Sequence, residues 1–108
     1  MWIFTSSGMI SVVAHRTKPD NLLVRAREPG VIEALFPEAK VKTMPNADYR
    51  YRAIIRRRDF AATMAIQFMS LAYTNFKASI PGHRQAYHDA CIDVWSRMAE
   101  LQNTVDRK

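Results

Sequence analysis

The sequence predicts an α+β fold: a mainly antiparallel sheet in the order β-β-β-α-β-β-α-α, with two longer C-terminal helices packed on one of its faces. Three observations predict it. Residues 1–58 carry short β-branched and aromatic runs separated by Gly, Pro, Asn and Asp, the punctuation of strands and turns. From Asp59 onward the apolar spacing lengthens to that of a helix. The chain has 108 residues, 48% hydrophobic and 24% charged, which suits one domain with a single core. The expected division is a strand-rich basic half over 1–58, a helical half over 59–102 and a frayed tail over 103–108.

Trp2 to Thr5 is a short apolar strand, and Ser6-Ser7-Gly8 turns it into a second over Met9 to His15, giving a hairpin. Thr17-Lys18-Pro19-Asp20-Asn21 is a loop, since Pro, Asp and Asn all favour turn conformations. Leu22 to Arg27 is a third strand, broken by Pro29-Gly30. Val31 to Phe36 places Ile32, Leu35 and Phe36 on one side of a short helix that Pro37 stops. Lys40 to Thr43 reads as a brief fourth strand, Met44 to Asp48 as a loop, and Tyr49 to Arg57 as the longest strand. Asp59 suits a helix N-cap, because its carboxylate accepts from unpaired first-turn amides. Phe60, Met64, Phe68 and Leu71 then form a stripe that runs to about Phe76. After Ile80-Pro81-Gly82, Tyr87, Cys91, Val94, Met98 and Leu101 form a second stripe. Phe60, Met64, Phe68 and Leu71 of the first stripe and Tyr87, Cys91, Val94 and Met98 of the second are expected in the core.

The charge is uneven. Residues 1–58 hold eleven Lys/Arg and five Asp/Glu, and residues 59–108 hold five of each, so the whole net charge of +6 lies in the first half. A basic half attracts nucleic acid, phosphates or an acidic protein. A lone Cys91 excludes an intramolecular disulfide and any multi-thiolate metal site. The opening Met1-Trp2-Ile3-Phe4 has no basic leader, and no apolar run reaches the roughly 18 residues of a membrane span, so a cytoplasmic protein without membrane contact is expected.

Alternation along the strands sets the candidate site. Arg25 and Arg27 share one face of the third strand; Arg50, Arg52, Ile54 and Arg56 share one face of the longest. If the helices cover the apolar faces, Arg25, Arg27, Arg50 and Arg52 gather on the open face, with Arg56 at its end. Their planar, permanently charged forks suit phosphate or carboxylate. The bland counterpart is internal pairing with Asp20, Glu28, Asp48 or a helix carboxylate. Alternation puts Tyr49 and Tyr51 on the face opposite Arg50 and Arg52, so base stacking would fall to Trp2 or Phe4. Trp2, Phe4, Ile54 and Trp95 are the expected contributors to an apolar interaction surface.

Catalytic signals are weak. No nucleophile elbow, phosphate loop, dinucleotide fingerprint or zinc-protease motif occurs. His88 and Cys91 are three apart but lack a third ligand, so neither a catalytic residue nor a metal or other cofactor is expected. His15 near the arginines permits a small metal-independent nuclease as a distant option.

Four segments resemble a family of short uncharacterised bacterial proteins: Met1-Trp2-Ile3-Phe4-Thr5; Leu23-Val24-Arg25-Ala26-Arg27 with Leu35-Phe36-Pro37; Ala47-Asp48-Tyr49-Arg50-Tyr51-Arg52; and Tyr73-Thr74-Asn75-Phe76-Lys77 with Tyr87 and Val94-Trp95. The resemblance spans nearly the whole chain and implies one small domain with no assigned activity. Small proteins of this kind occur on mobile elements, where some inhibit host defence complexes. The expected function is a non-enzymatic module that binds nucleic acid or an acidic protein through its arginines. The alternative is a protein-interaction module, as a homodimer or as such an inhibitor.

Overall fold

The computed structural model describes residues 1–106. They form five strands and four helices: β1 (Trp2–Thr5), β2 (Gly8–Ala14), β3 (Asn21–Ala26), α1 (Val31–Leu35), β4 (Lys42–Thr43), β5 (Tyr51–Arg56), α2 (Arg57–Met69), α3 (Phe76–Ser79) and α4 (Gln85–Asp106). The class is α+β, with two compact units, Met1–Ala72 and Tyr73–Lys108. The boundary falls after α2, so that helix belongs with the sheet.

In the first unit all strand pairs are antiparallel, in the order β1-β2-β3-β5-β4. Thr5 shapes the first hairpin: its Oγ1 accepts from the amides of Ser7 and Gly8 and donates to the Gly8 carbonyl at 2.8 Å. Gly8 is needed for space, because a Cβ there would stand 2.5 Å from Val31 Cγ2. One sheet face carries Ile10, Val12, Val24, Ala26, Ala53 and Ile55. These pack with Val31, Ile32 and Leu35 of α1, with Phe36, and with Phe60 and Met64 of α2. The Phe36 and Phe60 rings stack with centroids 5.3 Å apart. Gly30 precedes α1 at φ 82°, a left-handed turn that other residues resist.

Several expectations change. β5 starts at Tyr51, two residues late, because the chain bends at Asp48–Tyr49 to place the Tyr49 ring against the sheet. α2 begins at Arg57, directly after β5. The Arg57 amide donates to the Asp20 carbonyl at 2.8 Å, and its Nε donates to the Pro19 carbonyl at 2.6 Å. Arg56 therefore occupies the N-cap position, and Asp59 lies in the first turn, where it complements the helix dipole. α2 ends at Met69 rather than near Phe76. Asn75 is extended, and its Oδ1 accepts from the Ala78 amide at 3.2 Å, so it caps the start of α3 instead of closing α2.

The second unit comprises α3 and α4. Ile80, Tyr87 and Cys91 are buried. The Tyr73 and Phe76 rings are in contact, and Lys77 Nζ lies 4.6 Å from the Trp95 ring centroid. α4 continues to Asp106, so Asn103 to Asp106 are helical rather than frayed; residues 107 and 108 lie outside the described residues. Of the eight stripe residues expected in the core, Phe60, Met64, Tyr87 and Cys91 are buried. Phe68, Leu71, Val94 and Met98 are exposed. Helical spacing sets which face of a helix is apolar, and whether another element covers that face is a separate, long-range matter. On α2, Phe68 reaches only the rim of an open apolar groove of about 380 Å³ formed with Met1, Ile3, Phe60, Ala61 and Met64.

Candidate functional site

The sheet face opposite α1 and α2 is fixed by register. Trp2, Ser11, Arg25, Arg52 and Lys42 stand side by side across the five strands. Val13, Leu23 and Ile54 form a neighbouring apolar row. Three cations thus sit in directly opposed positions, Arg25 with Arg52 and Arg52 with Lys42. Such pairs repel unless something negative intervenes.

Part of the compensation is local. Arg52 Nη2 lies 3.2 Å from Asp48 Oδ1, and its Nε donates to the Tyr49 carbonyl at 3.2 Å. The same Asp48 oxygen accepts from the Tyr49 amide at 2.9 Å, which holds the loop down. Arg25 Nη2 donates to the buried Ser11 Oγ at 2.7 Å. The guanidiniums of Arg25 and Arg27 rest 4.5 and 4.7 Å from the Tyr49 ring centroid. Arg25 Nε is buried with no hydrogen-bond acceptor among the described residues, so the ring's π-face is left to stabilise that charge.

Tyr49 is the hub of the cluster and only 6% exposed. Burial alone would raise its pKa. Hydrogen bonds with Ser11 and Arg27, and the charges of Arg27 and Arg25, outweigh burial and hold the phenol below its ordinary value. The expectation that Tyr49 faces away from the arginines is therefore corrected. Alternation counts only from the first paired residue, and Tyr49 lies two residues before it.

The predicted arginines do not form one group. Arg25 and Arg52 are half-buried in the cluster, whereas Arg27 reaches the Tyr49 ring from an exposed position. Arg56 is exposed on the same face, opposite Asn21. Arg50 is exposed before β5, with its carbonyl accepting from the Met44 amide, and no hydrogen bond or ion pair among the described residues joins it to the others. Trp2, Phe4 and Ile54 share the open face, with Trp2 68% exposed at its edge. Trp95 belongs to the second unit.

His15 follows the end of β2, four residues on from Ser11, about 13 Å at strand rise. Its Nδ1 accepts from the amides of Thr17 and Lys18, so it closes the turn after β2 and is not part of the arginine cluster. Among the described residues no three His, Cys, Asp or Glu side chains gather as metal ligands, and no helix is long and apolar enough to cross a membrane.

Sequence reading missed Ser11, Tyr49 and Lys42. Ser11 left a signal, a lone polar residue inside the apolar run Met9 to Ala14. Lys42 and Tyr49 needed the β4–β5 register and the bend before β5. The chain matches no known family model, no curated protein and no solved structure, and the family resemblance rests on its motifs alone.

Proposed function

We propose that the chain is a small, non-enzymatic binding module that takes the phosphate backbone of a nucleic acid across the open sheet face. One observation carries the reading: the directly opposed row Arg25, Arg52 and Lys42, in which, among the described residues, Arg52 alone meets a carboxylate, that of Asp48. Arg27 and Arg56 extend the positive charge along the strands to either side of that row, and neither forms an ion pair among the described residues. Phosphate oxygens spaced along a strand relieve this repulsion in a way that one internal carboxylate does not. Trp2, exposed at the edge of the same row, offers a flat surface for a base to stack on.

Fluorescence anisotropy with a mixed-sequence single-stranded oligonucleotide tests this. Arg27, Lys42, Arg52 and Arg56 correspond to about four phosphate contacts, which give a log–log salt slope near −3 at about −0.7 per phosphate. Arg27→Gln with Arg56→Gln should reduce the slope by about half, with a loss of stability no greater than the roughly 1 kcal/mol of the Arg27–Tyr49 contact. Absence of binding at low salt, or binding indifferent to that double substitution, refutes the proposal. Salt-dependent capture of an acidic polypeptide in place of the oligonucleotide would move the partner to protein.

A further inference from the structure

The C-terminal half of α4 carries an apolar seam that nothing in the described chain covers. Tyr87, Cys91, Val94, Met98, Leu101 and Val105 follow one another at steps of four, three, four, three and four. This is the 3.5-residue period of paired helices, narrower than the stripe of a helix lying on a globular core. The first two residues of the seam are buried. The last four are exposed, Met98 by 58% and Leu101 by 54%.

We propose that this exposed half-seam is a homodimer interface, occupied by α4 of a second copy running antiparallel. The argument is self-complementarity. Read by size from either end, the seam is the same: Val, a long side chain, a long side chain, Val. An antiparallel copy centred between Ala99 and Glu100 pairs Val94 with Val105 and Met98 with Leu101, then repeats both layers through the two-fold axis. All four layers have matched volume, as an isologous contact requires. The flanking positions agree. Trp95 falls opposite Gln102 and Arg97 opposite Thr104 of the second copy, so no like charges meet across the seam.

Antiparallel helices also set opposite dipole ends together. A parallel copy would bring the two buried halves of α4 side by side, whereas the antiparallel one sends them to opposite ends. The seam spans about 16 Å of helix at 1.5 Å per residue. Covering its four side chains and the near edge of Trp95 removes on the order of 500 Å² from each copy. The total, roughly 1,000 Å², is at the small end of specific interfaces. The dimer is therefore weak and reversible, with a Kd of about 10–100 µM.

Sedimentation velocity on the full chain, from about 1 to about 500 µM to bracket that Kd, should move from monomer mass to dimer mass. Met98→Glu should remain monomeric throughout, with unchanged circular dichroism and melting temperature, because Met98 is exposed in the monomer. Orientation is read by disulfide capture in a Cys91→Ala background. Oxidising a mixture of Val94→Cys and Val105→Cys chains, one tagged, should give the mixed dimer, and neither chain alone should cross-link efficiently. A monomer at the highest concentration, a Met98→Glu chain that still dimerises, or self-linked Val94→Cys dimers would each overturn the proposal.

Discussion

Replacing Tyr49 with Phe removes one oxygen from the centre of the arginine cluster and leaves its ring in place. Ser11 keeps its bond from Arg25 Nη2, and both guanidiniums keep the π-face they rest on. What is lost is the bond with Ser11, a neutral bond worth about 1 kcal/mol, and the bond from Arg27. The latter is charge-assisted but donated by an exposed side chain, so solvent reduces it to about 1 kcal/mol as well. The expected loss near neutral pH is about 2 kcal/mol, read as a shift in urea midpoint at constant m-value.

The pH dependence is more diagnostic than the size. At low pH the phenol is protonated in both folded and unfolded chains, and its ionisation contributes nothing. Between the lowered folded pKa and the unfolded value near 10, the unfolded chain holds a proton that the folded chain has lost, so stability rises with pH. As pH falls back through the folded pKa, that contribution disappears. The stability gap between wild type and Tyr49→Phe should therefore widen from neutral pH towards pH 10 and level off above it. Phenolate absorbance should show one of the four tyrosines titrating early, and that component should vanish in the variant. A gap that stays constant across this range would refute the electrostatic account of the cluster.

Two further contrasts test the fold. Gly8→Ala drives a methyl to 2.5 Å from Val31 Cγ2 and should cost about 1–3 kcal/mol through overpacking, whereas Gly30→Ala meets no atom and should cost about 1–2 kcal/mol through its left-handed backbone alone. A Val31→Ala background should relieve the first and not the second, and equal relief of both would count against these assignments. Phe60→Ala should cost about 3–5 kcal/mol as a core truncation, while Phe68→Ala, at a residue 67% exposed, should stay within about 0.5 kcal/mol. Equal losses at the two sites would mean that Phe68 is covered.

Local chemistry was legible in the sequence wherever one residue type decides the backbone. Ser6-Ser7-Gly8 makes the hairpin, Gly30 and Pro37 bracket α1, and the β-branched runs give β2, β3 and β5 to within two residues. Legibility failed where a second segment decides. Alternation puts Tyr49 on the wrong face because the first paired residue of β5 depends on Asp48 bonding the Tyr49 amide and Arg52. The sequence pattern runs α2 too far because no Gly or Pro marks its end at Met69, and Asn75 starts a separate helix, α3. The polar pair Asn103 and Thr104 suggests too early an end for α4, although Val105 continues the seam. Periodicity places Phe60 and Met64 of α2 and Tyr87 and Cys91 of α4 in the buried part, as the structure has them, but it carries no information on where the cover ends, and Phe68, Leu71, Val94 and Met98 are exposed.

The same distinction decides how the arginines are to be tested. Seen from the sequence, Arg25, Arg27, Arg50 and Arg52 look equivalent, and a paired neutralisation of Arg50 and Arg52 looks like a probe of binding. The contacts divide them differently. Arg25 holds Ser11 and supports Tyr49 from within, and Arg52 fastens the Asp48–Tyr49 bend, so neutralising either removes a donor from a half-buried network and loosens the loop. A binding defect in such a variant would be confounded with a folding defect. Arg27 and Arg56 are exposed, and the fold asks of them only the contact of Arg27 with the Tyr49 ring and its oxygen. A Lys at position 27 preserves the charge while weakening that planar contact, and Gln removes both. If the open face serves a phosphate backbone, Arg27→Lys should retain most of the affinity and Arg27→Gln should lose the share of one phosphate contact, with a salt slope smaller by about 0.7. If the arginine serves only the tyrosine, the two substitutions should cost similar stability and leave oligonucleotide affinity equal.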